Sequence, residues 1–171
     1  MFSISFKEKI SFKSNNSENS VYLKNSYLNE IEEILIEICS ILETKQNFQF
    51  TISGFGDIEW KMDIARDLAS IIGELPKIIV DLKNNNYPVE IYFYEQGLDR
   101  RLTCEYNSFS SIKLTCDSGT SWMPKSRMIS LEKEAFLSQL INLQDDFVEY
   151  AEQVSPHLTS TQQFIEWRKY I

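Results

Sequence analysis

Histidine occurs once in this chain, at position 157. A histidine-rich metal centre is therefore excluded, and any cysteine–histidine dyad would have to use His157, which stands beside Pro156 where a surface or junction imidazole is the ordinary role. Cysteine is nearly as scarce, and Cys39, Cys104 and Cys116 form an odd, widely spaced set. Each falls on the apolar phase of a predicted helix or strand, so they read as reduced, buried thiols of a cytoplasmic protein rather than as a disulfide frame. Long apolar runs are missing too. The stretch from Ile34 to Leu42 is broken by Glu37 and falls far short of the ~20 residues of a membrane span. No Pro/Gly/Ser-rich linker interrupts the 171 residues, and a single soluble domain, 1–171, is expected. The opening residues, Met1 to Lys7, alternate like a strand and lack the basic lead and apolar block of a secretion signal.

Positive charge is in deficit. Seventeen Lys and Arg face twenty-five Asp and Glu, for a net charge of -8. Such a chain repels phosphate backbones and anionic lipid, so neither nucleic acid nor membrane is an expected partner. The acidity is also concentrated: helices predicted over residues 26–44 and 130–154 hold eleven acids and one lysine between them, and Asp145, Asp146, Glu149 and Glu152 lie along the second. Localised negative charge steers a basic partner, although solvated helix faces have the same composition.

The glycine pattern that cradles phosphates is incomplete. Gly54-Phe55-Gly56 follows a predicted strand, but Glu59 stands where a third glycine belongs and Asp57 places negative charge at the phosphate position. A tight turn with Asp57 as a helix N-cap is the preferred reading, and no cofactor or metal is expected.

The most informative segment runs from Tyr87 to Asp117. Val89, Ile91 and Phe93 alternate with Glu90, Tyr92 and Tyr94; Leu102, Cys104 and Tyr106 alternate with Arg101, Thr103 and Glu105; Ile112, Leu114 and Cys116 alternate with Lys113, Thr115 and Asp117. Turn residues separate the runs, so the pattern predicts a three-strand antiparallel meander with one dry and one wet face. Upstream, residues 2–12 and 21–23 predict a strand or hairpin, and a helix capped by Ser26 carries the stripe Ile31, Ile34, Leu35, Ile38, Ile41 and Leu42. Phe48, Phe50 and Ile52 predict another strand. Residues 60–82 read as helical, divided at Gly73 and Pro76 into two helices or one sharply kinked helix, with Gly73 as a C-cap. A loop through Trp122 precedes a helix capped by Ser130, and a short helix over 160–170 ends the chain. The order β-α-β-α-β-β-β-α-α predicts an α+β domain, a mostly antiparallel sheet with helices packed on one face.

Tyr92, Tyr94 and Arg101 fall on the wet phase of the meander, and Trp122 lies in a loop beside Met123, Lys125 and Arg127. Aromatic rings and guanidinium groups supply most interface hot spots, so these four are candidate partner anchors, with Glu95, Asp99 and Glu105 fixing register. Exposed ion pairs around Arg100 and Arg101, worth ~0–1 kcal/mol each, account for the same charges without a partner.

The segment Ile91-Tyr92-Phe93-Tyr94-Glu95-Gln96-Gly97-Leu98-Asp99-Arg100-Arg101-Leu102, with Ser121-Trp122-Met123-Pro124 and the Asp145-Asp146-Phe147 of the later helix, resembles small bacterial immunity proteins found beside polymorphic or contact-dependent growth inhibition toxins. The likeness covers roughly residues 50 to 170 and is most specific from Phe93 to Arg101. It implies an acidic, cytoplasmic, non-enzymatic protein that occludes the active site, or a nearby surface, of a cognate toxin domain, a basic nuclease being one fitting partner. No functional residues carry over from it. Two other classes stay open on the residues alone. One is a small hydrolase or transferase using carboxylates such as Glu95 and Asp99, which needs a concave pocket and a strongly perturbed carboxyl. The other is a regulatory adaptor with an endogenous partner.

Overall fold

Among the described residues, period-two alternation produces six strands, and three-to-four spacing of apolar residues produces the helices that cover them. The computed structural model describes residues 2–9, 30–60, 62–94 and 98–169. In chain order these form β1 (Ser3–Glu8), α1 (Ile31–Lys45), β2 (Phe48–Ser53), a π-helical turn (Ile64–Leu68) running into α2 (Ala69–Ile72), α3 (Leu75–Lys83), β3 (Val89–Phe93), β4 (Arg100–Tyr106), β5 (Ser111–Ser118), β6 (Met128–Glu132), α4 (Lys133–Val154), α5 (Pro156–Thr159) and α6 (Gln162–Arg168). The α+β class is as expected. The strands divide between two antiparallel sheets, β1-β2 and β3-β4-β5-β6. The expected continuation of the opening hairpin through Val21-Tyr22-Leu23, and the Ser26 cap, lie outside the described residues.

Register follows the apolar phase. Ile91 pairs with Leu102, Leu102 with Cys116, and Cys104 with Leu114, so one face of the larger sheet is continuously apolar. Those residues join Phe50, Ile52, Phe93, the α1 stripe and Phe136, Leu140, Leu143 and Phe147 of α4 in one buried cluster. A one-residue slip of any strand would put its apolar set in water, which is why the register is strongly specified. The edge of β1 is closed by α4: Gln139 Oε1 accepts from the Ile4 N–H at 3.0 Å and the Tyr150 hydroxyl from the Glu8 N–H at 3.3 Å.

Several boundaries differ from expectation for local reasons. Ser130 is not a helix cap but a strand residue of β6, opposite Lys113, and α4 begins after Glu132 with no side-chain cap. Half-buried Ile129 and Leu131 alternate with exposed Met128, Ser130 and Glu132, which adds a fourth strand to the meander. Helix does not begin at Trp60. That residue continues beside β2, its N–H donating to the Ile52 carbonyl at 2.7 Å, and the cap is Asp63, whose carboxylate accepts from the Arg66 and Asp67 N–H groups. Asp57 is likewise not a cap but bridges back to Gly54 through the backbone. Gly73 does end α2, in a right-handed conformation (φ -62) that any residue adopts, and Pro76 sits in the first turn of α3.

Leu114 is fully buried at the centre of the larger sheet. Truncation to alanine leaves a cavity as well as losing transfer energy, so Leu114→Ala should lower unfolding free energy by ~2–5 kcal/mol in urea titration. A near-neutral result would contradict this placement of the core.

Candidate protein-binding face

The outward residues of the meander form rows across the strands. Tyr92 pairs with Arg101, and Arg101 with Asp117; Glu105 pairs with Lys113. In the first row the Arg101 guanidinium carbon lies 4.7 Å from the Tyr92 ring centre, and the Tyr92 hydroxyl donates to Asp99 Oδ1 at 2.9 Å. That hydrogen bond to a carboxylate raises the phenol pKa. Tyr94 meets Tyr92 edge-on, with ring centres 6.0 Å apart. Tyr92 is 39% exposed and Tyr94 57%, so both rings are accessible although their neighbours fix them. Asp99 is itself held in place: its carbonyl accepts from the Gly119 N–H at 2.8 Å, and a Cβ at position 119 would collide with its carboxylate. Glu105 closes an ion pair with Lys113 at 2.7 Å on the same face. The structure thus brings Tyr92, Tyr94, Asp99 and Arg101 into one cluster, with Glu105 farther along its strand. Glu95 lies outside the described residues.

Trp122 belongs to a different arrangement. Its ring is half-buried, its indole N–H donates to Asp57 Oδ2 at 2.8 Å, and it meets Trp60 edge-on at 5.9 Å. Arg100 is inserted between the two tryptophans, its guanidinium carbon 3.5 Å from the Trp122 ring centre and 4.2 Å from that of Trp60. Arg100 is not part of an exposed charged turn; only 7% of it is accessible, and its Nε and Nη1 have no hydrogen-bond partner in the structure. Burial lowers its pKa, with Cys116 and Asp57 acting in the opposite direction. Arg100 was legible in phase, since it shares the dry side of β4 with Leu102 and Cys104.

The acids of α4 form a third surface. Asp145, Glu149 and Glu152 are exposed on a helix that packs on the core side of the sheets, whereas the tyrosines face away from the core. Glu152 pairs with Arg168 at 2.5 Å, and Glu149 accepts from Gln153 at 3.3 Å. Asp146 is half-buried, and its pKa is raised, first by desolvation and then by Glu149. Tyr106, expected on the dry face with Leu102 and Cys104, is exposed at the end of β4; exposed Phe109 and Met128 on the meander carry no such pattern, and Phe109, in the β4–β5 turn, is 95% exposed.

Comparison with known proteins finds no matching family model, no matching curated protein and no matching solved structure. The chemistry has to be judged from the side chains themselves. The three thiols are buried and free, and burial pushes Cys104 up to about 12 and Cys116 to about 11, the opposite of an activated nucleophile. Among the described residues no three His, Cys, Asp or Glu side chains converge as a metal site requires. Among the described residues Asp146, a carboxyl raised by burial, lines neither the cleft beside Glu74 and Tyr92 nor the one beside Phe55 and Leu131. No helix among the described residues is long and apolar enough to cross a membrane.

Two measurements test these environments. Arg100→Met keeps a long stem between the tryptophans and removes unanswered donors, so it should stay within ~1 kcal/mol of wild type, whereas Trp122→Ala should cost ~1–3 kcal/mol. Urea unfolding followed by tryptophan fluorescence reads both, and an equal loss for the two would mean that charge rather than stacked surface holds the cluster. Because the Asp146 pKa is higher folded than unfolded, its ionisation disfavours the fold at neutral pH, and that cost disappears as the carboxyl protonates on acidification. Asp146→Asn should therefore stabilise slightly at pH 7, with the advantage fading as pH falls through the Asp146 pKa; a constant difference from pH 7 down to pH 3 would contradict this.

Proposed function

We propose that this chain is a non-enzymatic binding protein of the immunity type, which neutralises a toxin domain by covering its surface with the outer face of the meander. The observation that carries the reading is the Tyr92-Tyr94-Asp99-Arg101 cluster, exposed yet fixed by its own contacts. Rigid aromatic side chains that keep one geometry lose little entropy on binding, and such residues dominate interface energetics. The net charge of -8 fits a basic partner such as a nuclease domain, with the acids of α4 accelerating encounter and the tyrosine cluster holding the docked complex. Cytoplasmic residence follows from the same reading, since a toxin that has entered the cell is met there.

The test begins with the genes beside this one: a toxin domain encoded there is co-expressed with this chain and affinity is measured on the purified pair, and neighbours that encode no toxin count against the reading. Wild type should protect cells and bind at one-to-one stoichiometry, with an association rate that falls as salt rises. Tyr92→Ala and Arg101→Ala should weaken binding by ~2 kcal/mol or more with little change in unfolding. Loss of stability with affinity retained would remove this face as the interface, and absence of protection and binding by wild type would remove the immunity reading.

A further inference from the structure

β3 is an outer strand of the larger sheet. Alternate residues of such a strand aim their N–H and C=O groups away from the ladder, and each has to be answered by water, protein or a partner. The smaller sheet shows answered edges: β1 by Gln139 and Tyr150 of α4, and β2 by the Trp60 N–H. Along β3, among the described residues, backbone hydrogen bonds run to β4 alone. Beside that open edge lies a cleft of about 250 Å³, walled on one side by Glu74, Lys77 and Asp81 of the α2–α3 segment and on the other by Glu90, Tyr92 and Tyr94.

Charge identifies the occupant. Lys77 is committed to Asp81 at 3.1 Å, and Asp81 also accepts from Asn86 at 3.2 Å. Glu74 and Glu90 are exposed, and among the described residues neither is ion-paired with a Lys or Arg, so one carboxylate on each wall is uncompensated. We infer that the β3 edge accepts an extended segment of a partner polypeptide as an added antiparallel or parallel strand, with Lys or Arg side chains of that segment meeting Glu74 and Glu90. Main-chain hydrogen bonds give such strand addition its affinity, and side chains at alternate positions give it selectivity. Tyr92 and Tyr94 form the rim against which the segment packs. A second copy of this chain is the poorer fit: two β3 edges paired with each other would gather both copies' Glu74 and Glu90 along one seam of two molecules of charge -8.

The inference rests on the reading of this protein as a binder of polypeptide, but it concerns the sheet edge rather than the face, and it is tested without the toxin. The probes are three synthetic peptides of equal length: alternating Lys and Val, alternating Glu and Val, and the Lys peptide with central prolines that keep its charge but cannot form a ladder. Binding is read by fluorescence anisotropy, and its location by amide hydrogen exchange across Val89 to Phe93. The Lys peptide should bind and slow exchange at alternate β3 amides, the Glu and proline peptides should bind at least about tenfold more weakly, and Glu74→Lys with Glu90→Lys should weaken the Lys peptide by about tenfold or more. Equal binding of the proline peptide, unchanged β3 exchange, or a dimer seen by light scattering whose formation protects β3 overturns the inference. Toxin neutralisation that survives such a result leaves the sheet-face reading standing; strand addition without toxin binding does the reverse.

Discussion

The apolar phase of β4 sets the parity of the whole candidate surface, and one stacking contact completes it. Two arginines stand in succession at the start of β4, and alternation requires that one point inward and the other outward. Arg100 is the inward one, held between Trp60 and Trp122, and Arg101 is therefore the outward one, laid over Tyr92. Trp60 follows the smaller sheet, Arg100 belongs to the larger, and Trp122 comes from the β5–β6 connection, so a single side chain links three separate parts of the chain. The Trp122–Asp57 hydrogen bond and the Lys125 N–H to Phe55 carbonyl bond, at 2.8 Å, tie the same connection to the turn after β2. Cation–π contacts in desolvated surroundings are worth up to about 2 kcal/mol, which helps to offset the cost of leaving guanidinium donors without acceptors.

Legibility in the sequence tracked the strength of the local signal. The three-strand meander and its buried face could be read because period-two alternation over three successive runs admits only one register. β6 was obscured because Ser130 has the chemistry of a helix cap, and a cap preference worth ~1 kcal/mol is outweighed when Ile129 and Leu131 gain cover as a strand pairs. Arg100 was grouped with exposed charges on residue type alone, although its phase with Leu102 and Cys104 placed it inside. What reverses the ordinary preference of arginine for water is a pair of tryptophan faces distant in sequence, and no window around residue 100 contains them. The Asp63 cap was hidden for the opposite reason: Asp57 and Asp63 both precede the helical run, and only the Trp60–Ile52 bond decides which of them reaches it.

The tyrosine cluster and the acids of α4 lie on different sides of the fold. That separation has a kinetic meaning. Charges away from the contact still act through the long-range field, within about 8 Å per screening length at physiological salt, so they influence how often partners meet in a useful orientation. They do little once the partners have docked. Residues in the contact behave conversely, because the attraction of a stacked tyrosine is short-ranged and is felt mainly in the rate of departure. Under the proposed function, the two tasks would fall to different sides of the fold.

Several groups on the meander face are held by one another. Asp99 is fixed by Gly119 and Tyr92, Tyr92 by Asp99 and Arg101, and Arg101 by the inward commitment of Arg100. Each side chain in that series has its conformation decided by the next, and the last is decided by the core. If this face is the proposed interface, ordering entropy that association would cost has already been lost on folding, so more of the contact energy would remain for the complex. The same series makes the face sensitive to changes it does not display. A substitution at Trp60 or Trp122 that releases Arg100 would loosen Arg101 and then Tyr92, and under the proposed function it would weaken partner binding without altering any residue of the Tyr92-Tyr94-Asp99-Arg101 cluster.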